Sequence, residues 1–308
     1  MKAGVVFPGQ GSQSVGMLAE LAAVHAEVAE TFVQASGVLG YDLWKLVQDG
    51  PAGDLNQTDR TQPAMLAAGV AVWRVWKAVG GVTPLVMAGH SLGEYTALVC
   101  AAALSFEDAV GLVAERGRCM QSAVPAGVGG MAAILGLDDE TVAALCSKAA
   151  DDEVVAPVNY NSPGQVVIAG HVAAVQRTIA LAREAGAKRA VELPVSVPSH
   201  CALMEPAAER FSESLGRVEL HPPAIPVIQN VDACSHAEPE LIRDNLRKQL
   251  YSPVQWVRSI RTMATMGVTQ VFEIGPGKVL TGLGKRIDKS IDHSAVCDPD
   301  TLKAALGG

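Results

Sequence analysis

The chain has 308 residues, of which 49% are hydrophobic, 18% charged and 4% aromatic, with a formal net charge of −8. That is enough apolar material for a sizeable core in one large or two ordinary domains, and it excludes a disordered chain. An acidic balance with few ring faces also argues against nucleic acid or an anionic membrane as a partner, since phosphate contacts need surplus cations and base stacking needs aromatics.

A buried strand is expected over 4–7, ending in the glycine-rich turn Pro8-Gly9-Gln10-Gly11-Ser12-Gln13. The apolar run before Pro8 is too short for a secretory signal. Helical periodicity follows over 17–39 and 64–79; the latter begins with the longest apolar stretch, which Arg74 and Lys77 cut short of membrane length. A second strand over 85–88 enters Gly89-His90-Ser91-Leu92-Gly93 and a helix to about residue 103. Ser105, with Asp108 three residues on, resembles a capping box for a helix to about 121.

Pro125-Ala126-Gly127-Val128-Gly129-Gly130 marks a change of character. Beyond it the pattern predicts strand 131–135, helix 139–149, strands 154–159 and 165–170, helix 172–185 and strand 188–193. That is the β-α-β-β-α-β order of a ferredoxin-like subdomain. Helix 201–215, a strand near 227–230 and strand 270–274 return the chain to its main body. The expected fold class is therefore α/β, with a parallel-rich main domain of 1–125 and 196–308 and an inserted subdomain of 126–195.

Six widely spaced cysteines, without a C-x-x-C pair, suit free thiols of a reducing compartment. The sequon Asn56-Gln57-Thr58 lacks a secretion signal and is expected to be a chance match. No H-E-x-x-H pattern or His/Cys cluster is present, so no metal is expected. The expectation is a cytoplasmic protein.

The turn at 89–93 fits G-x-S-x-G between a strand and a helix, the setting of a nucleophile elbow. There the Ser91 hydroxyl stands at the sheet's carboxyl edge and the Leu92 N–H points toward the oxygen of an attacked carbonyl. Serine needs a base. Among seven histidines, His200 follows a strand-like stretch and opens a helix, where the positive helix end favours a neutral ring. His200 is either that base or a capping residue. His90 adjoins Ser91 and shapes the pocket. No acid completes a triad, which leaves a backbone carbonyl to orient the imidazole.

Arg116 lies on a helix face with Ala109, Leu112, Val113 and Met120. A guanidinium in an apolar stripe needs an anion, either an internal carboxylate or a substrate carboxylate bound through two parallel hydrogen bonds. Gly9-Gln10-Gly11 lacks the third glycine of a dinucleotide loop and has no Walker lysine. Gln10 instead is expected to lend a second oxyanion donor beside Ser91.

The blocks VFPGQGSQ (6–13), GHSLGEYTAL (89–98), Arg116, NYNSPGQ (159–165), VSVPSH (195–200) and EIGPGKVL (273–280) closely resemble the malonyl-CoA:acyl carrier protein transacylases of bacterial fatty-acid synthesis. The match is in family order over essentially the whole chain, without departures at these positions. The resemblance implies an α/β-hydrolase-like domain with a ferredoxin-like insertion. It implies Ser91 as acyl acceptor, His200 as base, Gln10 and Leu92 as oxyanion hole, and Arg116 as clamp on the malonyl carboxylate. It further implies Gln62 as a pocket glutamine, Gln249 as the backbone carbonyl that holds the histidine, and Asn159 as a polar residue of the cleft. Substrates would be malonyl-CoA and a phosphopantetheinylated acyl carrier protein, with no cofactor, and the protein would be a monomer. Docking an acidic carrier needs a local basic surface, which Lys188 with Arg189, or Lys285 with Arg286, could supply; the alternative for each pair is an ordinary solvated face. A polyketide or malonate-decarboxylating acyltransferase, a hydrolase and a non-catalytic carrier-binding scaffold are the rival functions.

Overall fold

The computed structural model describes residues 2–125, 127–195 and 197–307. In chain order the elements are β1 (Ala3–Phe7), α1 (Ala19–Val24), α2 (Ala26–Leu39), α3 (Leu43–Asp49), α4 (Ala52–Leu55), α5 (Thr58–Ala78), β2 (Val86–Gly89), α6 (Gly93–Cys100) and α7 (Phe106–Gln121). There follow β3 (Gly129–Leu135), α8 (Asp139–Ala150), β4 (Val155–Ser162), β5 (Gln165–His171), α9 (Val172–Glu184) and β6 (Arg189–Glu192). The chain ends with α10 (Glu205–Leu215), β7 (Val227–Ile228), α11 (Pro239–Lys248), α12 (Trp256–Thr265), β8 (Gln270–Ile274), α13 (Val279–Ile287), β9 (Asp292–Val296) and α14 (Pro299–Ala305). None of the described helices is long and apolar enough to cross a membrane.

Five strands form a parallel sheet in the order β7-β2-β1-β8-β9. The central strand β1 is buried along its whole length, so it reads as a continuous apolar run rather than an alternating one. Phe7 pairs with Gly89 at the carboxyl ends of β1 and β2, which brings the turns after both strands to one sheet edge. Helices α2, α5 and α7 cover one side; Phe32, Trp76, Val113 and Phe272 belong to their shared core.

The second sheet has four antiparallel strands in the order β4-β5-β3-β6. Alternation sorts its faces. Ala132 and Ile134 of β3 pack with Val142, Cys146, Val175 and Ile179 of α8 and α9. Met131 faces the other way, with Val158, Val167 and Cys201. Backbone bonds from Tyr160 N–H to Val254 O (3.0 Å) and from Val254 N–H to Val158 O (2.8 Å) fasten β4 to the segment before α12.

The element order expected for this segment is observed to within a few residues. The expected junctions, at 126 and 196, fall on Ala126 and Ser196, which lie outside the described residues. The helix expected over 17–39 is two helices, broken at an extended His25. Its periodicity survives because Leu21, Val28 and Phe32 still face one core. The helix expected at 64 starts at Thr58, with Pro63 in its second turn, where the missing N–H forfeits a single bond. The helix expected at 201 begins as a 3₁₀ turn, Ala202–Met204, and becomes α-helical only where Pro206 occupies its first turn. All six cysteines are free thiols.

Candidate active site

Ser91 sits between β2 and α6 with φ of +52°, a left-handed conformation that a serine adopts only where its surroundings impose it. The turn is tight two residues to either side. A methyl on Gly89 would overlap the Gly93 backbone, and one on Gly93 would overlap the Phe7 carbonyl. The turn is held by Asn230, whose Oδ1 accepts the Ser91 N–H at 2.7 Å and whose Nδ2–H donates to Gly89 O at 2.7 Å. Leu92 caps α6, and neither its N–H nor that of Gln10 meets an acceptor among the described residues. Both residues line the same cavity as Ser91. Two backbone donors without an acceptor among the described residues thus belong to residues that line the cavity beside Ser91.

His200 Nε2 lies 2.8 Å from Ser91 Oγ, and its Nδ1 lies 2.6 Å from the Gln249 backbone oxygen. A carbonyl only accepts, so Nδ1 carries the proton and Nε2 is left to accept the serine's. His200 is buried, and burial is the main influence pulling its pKa down to about 3, with the positive charge of Arg116 adding to it. This revises the sequence expectation: the ring opens a short 3₁₀ turn, and burial and Arg116, rather than a helix end, keep it neutral. Among the described residues, no carboxylate bonds to its ring. The expected backbone orienter is present at Gln249.

Arg116 is 1% exposed. Its NH1 donates to Gln62 Oε1 and its NH2 to Gln249 Oε1, both at 2.9 Å, while NH2 reaches Ser91 Oγ at 3.3 Å. The guanidinium lies 5.4 Å from the centre of the Tyr95 ring. It forms no ion pair among the described residues, and its buried Nε has no partner. A buried guanidinium is therefore held by two amide oxygens within reach of the Ser91 hydroxyl, with donor capacity left over.

His90 Nε2–H donates to Asn161 Oδ1 at 2.8 Å, and its ring packs against Trp256. Burial lowers its pKa. With that nitrogen engaged across the gap between the two sheets, His90 shapes the wall and does not face the Ser91 oxygen as a base. Asn159 lines the cavity with a buried, unpartnered Oδ1. Gln62 is buried against two residues of the cavity wall, its Oε1 accepting from Arg116 and its Nε2 near Met120 Sδ. The cavity, about 320 Å³, is also lined by Met120, Met131, Leu193 and Val197.

Asn230, Asn161 and the Gln249 side chain were not singled out from the sequence. Asn161 stands two residues from Asn159 in one strand, where period-two spacing would place them on one face. Bulges at Pro157/Asn159 and Tyr160/Ser162 send them to different tasks. Among the described residues, no group of three or more His, Cys, Asp and Glu is placed to hold a metal ion.

With this geometry in view, residues 5–298 match the acyl transferase domain family. The malonyl CoA-acyl carrier protein transacylase of Salmonella typhimurium is 58% identical over 301 residues, covering 98% of this chain and 97% of that one. The crystal structure of an acyl carrier protein S-malonyltransferase from Vibrio cholerae is 59% identical, with a TM-score of 0.97 over 99% of each chain. A type II PKS acyl-carrier protein in complex with its malonyl-transacylase gives 53% identity and a TM-score of 0.98, over 100% of this chain and 99% of that one. A serine elbow, a neutral histidine and an unpaired guanidinium in one cavity agree with these likenesses: the chain belongs to the malonyl CoA-acyl carrier protein transacylase family of acyltransferases.

Proposed function

We propose that this protein carries a malonyl group from malonyl-CoA to the phosphopantetheine thiol of an acyl carrier protein, by way of an ester on Ser91. The observation that carries the proposal is the convergence of Ser91, His200 and Arg116. Ser91 Oγ attacks the thioester carbonyl as His200 Nε2 takes its proton. The tetrahedral oxyanion is received by the Leu92 and Gln10 N–H groups, each worth about 3 kcal/mol in sites of this kind. Collapse expels coenzyme A as a thiol, with the proton returned from His200. The carrier's thiol then attacks the malonyl-serine ester, His200 again accepting the proton and returning it to Ser91 Oγ. Arg116 holds the far carboxylate throughout, and Asn159 contributes a polar side chain to the cavity wall. No step calls on a cofactor.

The small sheet's strand order, with two helices on one face, supports a ferredoxin-like subdomain of 126–195 set into an α/β-hydrolase-like domain of 1–125 and 196–308. We assign the protein to the cytoplasm, as a monomer. For carrier docking, Lys188, Arg189, Lys285 and Arg286 are exposed and lack ion-pair partners among the described residues. The solved complex with a polyketide carrier supports a second client beside the fatty-acid carrier. The test is isotope exchange between malonyl-CoA and free coenzyme A, followed by transfer to each carrier. Exchange with transfer outpacing hydrolysis is expected. Binding without exchange, or hydrolysis unaffected by carrier, overturns the proposal.

A further inference from the structure

Glu94, in the first turn of α6, is completely buried and forms no ion pair among the described residues. Its Oε1 accepts Gln229 Nε2–H at 3.0 Å. Its Oε2 accepts the Asn230 N–H at 2.8 Å and Gln249 Nε2–H at 2.9 Å. A carboxyl group so deep in the protein is costly unless its oxygens are satisfied, and here three donors meet it.

The Gln249 side chain is the link to the cavity. Its Nε2 donates to Glu94 Oε2 and also to Ser91 O at 3.0 Å, while its Oε1 accepts from Arg116. Acceptors stand on one side of this amide and a guanidinium on the other. Only one orientation avoids setting NH₂ against N–H and oxygen against carboxylate. The two possible anions for Arg116 are thereby reconciled. An internal carboxylate does stand near, but one amide removed, so it supports the cation without occupying its N–H groups.

We propose that Glu94 is a positioning residue: by accepting Gln249 Nε2–H it locks that amide with its oxygen toward Arg116, and so holds the guanidinium turned to receive the substrate's free carboxylate. The proposal rests on Arg116 being the carboxylate clamp of the transfer reaction. It assigns to the buried acid a part in substrate selection rather than in proton transfer.

Glu94→Gln keeps size and removes the second acceptor oxygen. Its one carbonyl can serve Gln249 or Gln229, not both, without a donor facing a donor. Single-turnover loading of Ser91 is measured at pH 8, above the value of about 7 to which burial raises this carboxyl. The half-saturating malonyl-CoA concentration should rise about tenfold, with the maximal rate and acetyl-CoA loading each within about threefold of wild type. Gln249→Met abolishes the amide, and the double variant should be no worse than Gln249→Met alone, because the two residues act in series. Glu94→Asp, which withdraws the carboxylate by one methylene, carries the same test should Glu94→Gln fail to fold. An unchanged malonyl concentration dependence, equal losses for malonyl and acetyl, or effects that multiply in the double variant would each overturn the relay. A wild-type enzyme that never forms malonyl-Ser91 would instead overturn the transfer reaction itself, so the two failures are told apart.

Discussion

Replacing Arg116 by alanine separates substrate selection from acyl chemistry. The guanidinium is buried; if it receives the malonyl carboxylate in a fork, as proposed, each charge-assisted hydrogen bond of that fork would contribute about 1.5–3 kcal/mol. Two of them amount to roughly 3–6 kcal/mol, or a fall of about 10²–10⁴ in kcat/KM for malonyl-CoA. An acetyl group behaves in the opposite sense. In the wild type it leaves a desolvated cation facing a methyl, a penalty that the variant no longer carries, so acetyl transfer should hold or rise. The Ser91–His200 hydrogen bond is direct and should survive the change, although Ser91 Oγ loses the longer contact from Arg116 NH2. Loss of the nearby positive charge should also raise the His200 pKa, moving the acid limb of acetyl loading upward. The assay is Ser91 loading from malonyl-CoA and acetyl-CoA in parallel across pH. Equal loss of both, or malonyl selectivity left intact, refutes the clamp.

Three further perturbations test the supporting structure. Gly93→Ala puts a methyl into the Phe7 carbonyl, so it should displace the elbow, lower Tm and abolish Ser91 acylation; a fully active, equally stable variant would contradict the turn's geometry. Ser105→Ala removes the side chain that accepts the Asp108 N–H at the start of α7, at a cost of about 1 kcal/mol, read as a Tm lower by about 1–2 °C with unchanged kcat. Burial depresses the His293 pKa to about 4, so the unfolded chain binds its proton first as pH falls. Stability from this ring is full above pH 6.5 and is lost toward pH 4, by at most about 3 kcal/mol. His293→Gln should therefore lose less Tm than wild type between pH 7.5 and 4.5, and equal losses would count against it.

Local chemistry made part of this site legible in the chain itself. The elbow is written into five consecutive residues whose glycines are forced by backbone approach, and the start of α7 is written into Ser105 and Asp108, three apart. The small sheet was readable because strand and helix periods alternate without long loops. What escaped depends on distance along the chain. Asn230 reaches Ser91 across 139 residues, and the Gln249 amide reaches the Ser91 carbonyl across 158. No spacing announces such pairings, since the parallel sheet and its crossovers create them. The resemblance supplied Gln249 for its backbone only; its side chain is equally engaged, with three neighbours at once. The neutral state of His200 was foreseen on the wrong ground, because burial depends on tertiary packing that a position before a helix does not reveal.

The most direct measurement is intact-protein mass spectrometry after brief exposure to malonyl-CoA, with peptide mapping and a chase by the phosphopantetheine thiol of a carrier protein. One malonyl increment on Ser91, removed by the thiol and absent from Ser91→Ala, is the expected result. An increment that maps elsewhere, persists in Ser91→Ala or resists the thiol would contradict acyl transfer through this serine.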